Sequence, residues 1–178
     1  MTLTEAKTLL EKKRIPYQTA QYEDEDAYWR HLMPFPGGGG RKCKITALVI
    51  PSVNGEKDIE LQFNRTRGEY RFAELYFGSY SFDMFDTDPD LLAADLLDII
   101  GQIVDGRVVV ISASDLKKKR WKGDSCFDPT DSDSVFGAPG LRDAMAEVES
   151  PKTIWKKLTG SRIQYEIYDW RTYRQVVK

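Results

Sequence analysis

The sequence has few of the residues from which catalytic and metal sites are built. It contains one histidine, His31, and two cysteines, Cys43 and Cys126, among 178 residues. A serine or cysteine nucleophile that needs a histidine base would have to use His31, and no nucleophile motif lies near it. A zinc site normally takes three or four histidine or cysteine ligands, which this sequence does not cluster. We therefore expect no metal, no cofactor and an ordinary structural role for His31.

Long apolar runs are also missing. The longest, such as those at 47–51 and 108–111, have the length of a strand and fall far short of a membrane helix. Residues 1–6 lack the basic-then-apolar pattern of a signal peptide, and two cysteines indicate no disulfide framework. We expect a cytoplasmic protein with reduced thiols and no membrane partner.

The composition is that of a folded chain with an uneven charge distribution. Hydrophobic residues make up 41% and charged residues 30%, which predicts one globular domain over residues 1–178. The net charge is −2, yet residues 51–100 hold 11 acidic against 4 basic side chains, and residues 151–178 hold 2 against 7. Such asymmetry can orient a partner, although it does not specify a fold.

Alternating polar and apolar residues predict a four-stranded antiparallel meander over residues 44–85. Asn54-Gly55 is a strong hairpin signal. In the strand at 58–64 the apolar side chains are Ile59, Leu61 and Phe63, and the polar ones are Asp58, Glu60, Gln62 and Asn64. A clean alternation is typical of a sheet with one buried and one wet face, so we expect these polar side chains to be exposed. A change of phase after Phe72 predicts a bulge near Ala73-Glu74.

The rest of the chain predicts helices and two further strands. Thr2 with Glu5 indicates a capping box for a helix over residues 3–13, and Asp88-Pro89 indicates the start of a long helix that ends before Gly106. Helices are also predicted at 27–33, 139–149 and 150–160, and strands near 107–112 and 162–168. The predicted fold class is α+β, a mainly antiparallel sheet with helices packed on one face.

Several polar segments resemble ligand loops without completing them. Asp86, Asp88 and Asp90 have the alternate spacing of a calcium loop, but its glycine and glutamate positions hold leucines, so helix capping is the better interpretation. The acidic run at 128–133 also lacks a glycine at the position that a calcium loop requires, and it is interpreted as a solvated loop. The glycines at 37–40 lead into a strand, whereas a phosphate loop leads into a helix, and they predict a flexible connector.

The segment 117–122 is the most suggestive part of the sequence. It combines five cations with a tryptophan: Lys117, Lys118, Lys119, Arg120, Trp121 and Lys122. Such a segment could neutralise phosphates and stack a base. Four aspartates follow at once (Asp124, Asp128, Asp131 and Asp133) and would offset four of the five charges. The favoured interpretation is a solvated loop with a packed tryptophan, and a nucleic-acid partner is not expected.

Two classes of function remain open. The leading hypothesis is a non-catalytic protein-binding domain, of the kind that neutralises a bacterial toxin or nuclease, with Asp58, Glu60 and Gln62 on its binding face. The alternative is a metal-dependent nuclease or another enzyme that acts on nucleic acids. It would use Asp115 and Lys117, an arrangement in which carboxylates bind Mg²⁺ and a lysine steadies developing charge, with Asp83 or Asp86 as the second carboxylate.

Overall fold

The computed structural model describes residues 1–36, 40–84, 88–130, 146 and 162–178. Within these residues the chain has three helices and nine strands, and the predicted α+β class is confirmed. In chain order the elements are α1 (Leu3–Lys12), β1 (Gln18–Tyr22), α2 (Glu25–Leu32), β2 (Ile45–Ile50), β3 (Ile59–Thr66), β4 (Glu69–Phe77), β5 (Tyr80–Phe82), α3 (Pro89–Val104), β6 (Val109–Asp115), β7 (Arg120–Phe127), β8 (Ile163–Tyr168) and β9 (Tyr173–Val177). The helices predicted at 139–149 and 150–160 lie outside the described residues, apart from residue 146.

The strands form two antiparallel sheets. The first has the order β1-β2-β3-β4-β5, so the predicted meander is its main part and β1 adds an edge strand. The second has the order β7-β6-β8-β9. The strands predicted near 107–112 and 162–168 are therefore the centre of a separate sheet and do not extend the first one.

Local sequence signals set the ends of the helices. The Thr2 hydroxyl accepts the Glu5 amide of α1, and the Glu5 carboxylate accepts the Thr2 amide in return, which is the predicted capping box. At the start of α3 the Asp88 side chain accepts the amides of Asp90 and Leu91, and Gly106 follows the end of the helix with a φ of +77°. No helix among the described residues is long and apolar enough to span a membrane.

The predicted bulge is present in β4. Gln62 of β3 pairs with Glu74, and the next residue, Phe63, pairs with Phe72, so Ala73 is the extra residue. The extra residue breaks the simple alternation of side chains along β4, so that the side chains before and after Ala73 follow different odd–even patterns. Both halves of β4 can thus place apolar side chains against the same core.

The larger core lies between the first sheet, two helices and the second sheet. Leu10 of α1 and Leu96 of α3 are fully buried against Leu61 and other apolar residues of the first sheet. Tyr168 and Trp170 bring the second sheet into the same cluster. This core lies on the face of the first sheet that the alternation in β3 predicts to be buried.

A second core lies on the opposite face of the first sheet. Tyr28 and Leu32 of α2 pack there against Ile45, Ala47 and Tyr76. The ring of Tyr28 meets that of Tyr76 edge to face, with centroids 5.7 Å apart. Helices therefore cover both faces of this sheet: α1 and α3 lie on one face, as predicted, and α2 lies on the other. The polar side chains of β3 project toward α2.

Candidate functional site

The polar side of β3 is not the exposed surface that the sequence predicts. Glu60 is 2% exposed and Gln62 is 4% exposed, on the face of the first sheet where α2 packs. Asp58 is half-buried, and its Oδ1 accepts the backbone amide of Ser52 at 2.8 Å. The expectation of a wet face is wrong for Glu60 and Gln62, whose accessible surface is too small for a partner to contact. The apolar half of the alternation is confirmed, since Ile59, Leu61 and Phe63 are all buried.

Glu60 is paired with the single histidine. Its Oε1 lies 2.7 Å from Nε2 of His31, whose side chain is 48% exposed while that of Glu60 is 3% exposed. The hydrogen bond to Glu60 raises the pKa of His31, partly against the effect of burial. The pair fixes α2 to β3 and supplies a counter-charge for a carboxylate that would otherwise be costly to bury.

The surroundings of this pair do not form a substrate site. A cavity of about 50 Å³ lies beside it, lined by residues of α2, the β2–β3 loop and the turn at Gly78. Ligand pockets for organic molecules are typically several times larger, about 300–1,000 Å³. Among the described residues no other side chain hydrogen-bonds His31, so no hydroxyl or thiol is placed for activation by it.

A second buried ion pair joins the two sheets. Lys57 Nζ lies 2.8 Å from Oε2 of Glu166 on β8, and both side chains are largely buried. The hydroxyl of Tyr173 donates to the other oxygen of Glu166 at 2.9 Å. Lys57 also lies 5.6 Å from the ring centroid of Tyr168. Both carboxylate oxygens of Glu166 therefore have partners within the protein. This indicates that Glu166 has a structural role and holds the two sheets together.

The residues proposed for a nuclease are not brought together in the described part of the chain. Oδ1 of Asp115 accepts the amides of Lys117 and Lys118, at 3.0 and 2.9 Å, and these bonds lower its pKa. Asp83 is exposed just after β5, and Asp86 lies outside the described residues. Across residues 1–36, 40–84, 88–130, 146 and 162–178, no three acidic, histidine or cysteine side chains converge as metal ligands would.

The basic segment forms the tip of the β6–β7 hairpin. Residues 117–120 and Lys122 are all exposed there. Asp124, which the sequence places beside them, is mostly buried, and burial raises its pKa to about 6. Asp128 lies past the far end of β7, with Oδ2 accepting Nε of Arg107 at 2.9 Å. Neither aspartate offsets the charge of the hairpin tip; Asp131 and Asp133 lie outside the described residues.

Trp121 is held in the sheet. Its Nε1 donates to the hydroxyl of Ser112 at 3.2 Å, and its backbone amide donates to the carbonyl of Phe35 at 3.4 Å. The side chain is half-buried. These contacts agree with the interpretation of Trp121 as a packing residue that also binds the loop after α2.

A groove of about 380 Å³ lies between α1 and the start of α3. Its lining includes Thr4, Leu9 and Lys12 from α1 and Pro89, Asp90 and Ala93 from α3. Beside it, α3 exposes Leu91 by 55% together with Asp95 and Asp98. The acidic residues of this region were visible in the sequence as local charge, but their position beside a groove depends on how α1 and α3 pack.

Comparison of the chain with protein-family models, with curated proteins and with solved structures finds no match in any of the three. Function is therefore inferred from the surfaces of the molecule. Two described surfaces have a definite chemistry: the acidic face of α3 with its groove, and the basic tip of the β6–β7 hairpin.

Proposed function

We propose that this domain is a non-catalytic protein-binding module, and that α3 with the adjoining groove receives a basic partner. The observation that carries the proposal is the outer face of α3, where Leu91 is more than half exposed among Asp90, Asp95 and Asp98. Beside the groove, the Leu91 side chain can extend the apolar centre of an interface, and the three aspartates can form the polar rim that protein interfaces have.

The charge of this region selects the partner. Between Phe72 and Gly106 the sequence contains eight acidic residues and no lysine, arginine or histidine. The last turn of α3 likewise has no basic residue, although cations are favourable at that end of a helix. The exposed aspartates of α3 attract basic proteins and repel acidic ones, and they accelerate encounter at low salt.

The groove supplies the apolar part of the interface. Leu9 of α1 and Ala93 of α3 both line it, with Lys12 and Asp90 among the polar residues of its lining. A groove of this kind accepts apolar side chains from a partner segment, while the aspartates of α3 pair with the partner's cations. A basic toxin or nuclease fits this description, because its substrate cleft must attract phosphates. Occupancy of that cleft by an acidic domain would neutralise it.

The test is affinity capture with matched variants. We expect the tagged protein to retain a basic protein from a lysate of its own cells and to release it at high salt. The variant Leu91→Ala with Asp95→Lys and Asp98→Lys should lose that protein. The control Glu23→Lys with Glu56→Lys makes the same change in charge on exposed acids elsewhere and should keep it.

Direct binding then decides the proposal. The captured protein is purified, and its affinity for the wild type and both variants is measured by calorimetry. A loss of at least about tenfold that is confined to the α3 variant supports the proposal. Equal affinity of all three proteins, or capture of no basic protein, would overturn it.

A further inference from the structure

The tip of the β6–β7 hairpin carries a charge that the proposed protein-binding surface does not use. We infer that this end of the second sheet binds the phosphate backbone of a nucleic-acid duplex without reading its sequence. Six exposed cations define this basic end: Lys117, Lys118, Lys119, Arg120, Lys122 and Arg162. The structure brings Arg162 to the others, because the amide of Leu116 donates to its carbonyl at 2.9 Å.

The cations are presented by a fixed turn. The carboxylate of Asp115 accepts two amides of the turn, those of Lys117 and Lys118. Arg120 opens β7 directly opposite Asp115, and Lys122 is the extra residue of a bulge in that strand. Because the backbone of the turn is already ordered, binding has to immobilise only the lysine side chains.

Within the part of the chain that the structure describes, the acidic residues near this end do not cancel its charge. Asp115 faces the turn amides, and Asp124 lies on the buried side of β7. Asp128 follows β7, about 25 Å along the strand from the tip, which is several times the Debye length of about 8 Å at physiological salt. Its carboxylate is already bound to Arg107. Of the aspartates that argue against nucleic acid in the linear sequence, the two that the structure describes therefore leave the charge of the lysines uncompensated: Asp124 is mostly buried and Asp128 is distant.

The dimensions of this end match a phosphate backbone. The cations lie at the neighbouring ends of β7, β6 and β8. Two gaps between strands span about 10 Å. One strand of a duplex carries about three phosphates over that length. Trp121 donates its indole N–H to Ser112 and is half-buried, so its ring is not presented as a stacking platform. Recognition by charge alone predicts binding that is independent of sequence and depends steeply on salt.

The experiment measures the affinity for a labelled duplex of about 20 base pairs by fluorescence anisotropy, between about 50 and 200 mM salt. With about three phosphates neutralised, the wild type should lose roughly fortyfold in affinity over this range. The variant Lys117→Ala, Lys118→Ala, Lys119→Ala should bind at least about tenfold more weakly at the low salt concentration, and its salt dependence should be flatter.

Two matched variants complete the test. Changing the same three lysines to arginine should keep both affinity and salt dependence, since the charge is retained. The control Lys13→Ala, Arg41→Ala, Lys42→Ala removes three exposed cations elsewhere and should leave binding unchanged. Absence of duplex binding at low salt, or an equal loss in the control, would overturn the inference. Binding to phosphatidylserine vesicles but not to the duplex would also overturn it and would assign the surface to membranes.

Discussion

Nε2 of His31 lies 2.7 Å from Oε1 of Glu60, so a half-exposed residue at the end of α2 holds a carboxylate buried in the first sheet. The two residues are separated by 29 positions in the sequence. The contact explains why a strand with perfect polar alternation has no wet face: a helix covers its polar side and supplies a partner for the charge. It also gives the only histidine of the chain a specific structural role.

The titration of His31 tests this contact directly. The hydrogen bond to Glu60 raises the pKa of His31 above its usual value of about 6.5. Because the chain has one histidine, a single imidazole signal in proton NMR reports that pKa. We expect Glu60→Gln to lower it. An imidazole that titrates at or below about 6.5 in the wild type, and does not respond to Glu60→Gln, would contradict the pairing.

Stability should follow the same titration. A raised pKa in the folded state means that the contribution of the pair is fully present below about pH 6.5 and is lost as the pH rises through the folded value. Urea melts of the wild type and His31→Ala should therefore differ more near pH 5.5 than near pH 8.5. An equal difference at both pH values would show that His31 stabilises α2 by packing alone.

The titration of Asp124 should also lower the stability as the pH rises, but here the cause is the burial of the charged form, so that removing the charge should stabilise the protein. Burial raises its pKa to about 6, and its Oδ2 has no hydrogen-bond partner among the described residues. The folded state therefore favours the protonated acid, and stability is lost as the pH rises from about 4 through 6. Asp124→Asn should increase the free energy of unfolding by about 2–3 kcal/mol near pH 7.5, with little effect near pH 4.

Asp128 provides the control for this measurement. Its hydrogen bonds to Thr130 and Arg107 lower its pKa, so its charged form stabilises the fold. Asp128→Asn should destabilise the protein near pH 7.5, and the effect should fade in acid. If both variants shift stability in the same direction at neutral pH, the burial of Asp124 is not the cause of the first result.

The local part of the fold could be predicted because its causes lie within a few residues of each other. The capping box of Thr2, the aspartate cap of α3 and the bulge at Ala73 all follow from short-range hydrogen bonding and side-chain alternation. The Asn54-Gly55 turn likewise joins two strands that pair as predicted. These features set the meander and its register.

The surfaces could not be predicted in the same way because they depend on distant residues. Lys57 and Glu166 are 109 positions apart, and nothing in either local sequence indicates that they meet. Polar alternation in β3 predicts which side chains share a face. Whether Glu60 is exposed to solvent depends on the packing of α2, which the alternation does not contain. For the same reason the charge of Asp124 could not be assigned to the interior from its place after a basic run.

Two leucines of α3 provide a matched pair for the packing of the core. Leu96 is fully buried and Leu91 is 55% exposed in the same helix. Leu96→Ala should lower the free energy of unfolding by about 2–5 kcal/mol, because it removes buried methyl groups and leaves a cavity. Leu91→Ala should change it by no more than about 0.5 kcal/mol. Comparable losses in urea melts would mean that Leu91 is packed in solution.

A substitution at Gly78 tests the contact with Tyr168, which joins the two sheets. Gly78 turns the chain between β4 and β5 with a φ of +57°, and a Cβ added there would lie 2.5 Å from the hydroxyl oxygen of Tyr168. Tyr168 cannot move away easily, since it is buried and its hydroxyl donates to the carbonyl of Phe77 and accepts the amide of Ser79. Gly78→Ala should therefore combine backbone strain with a steric clash against a rigid ring, a loss of about 3 kcal/mol or more.

Gly106→Ala separates the two causes of that loss. Gly106 has a φ of +77°, and a Cβ there would meet no atom within 4 Å. Its substitution should cost only the backbone strain of a left-handed residue, about 1–2 kcal/mol. Thermal melts of both variants measure the difference, which is the contribution of the clash. Equal losses would show that the Tyr168 side chain moves to accommodate the new methyl group. The hydrogen bonds of its hydroxyl would then not hold the ring in place.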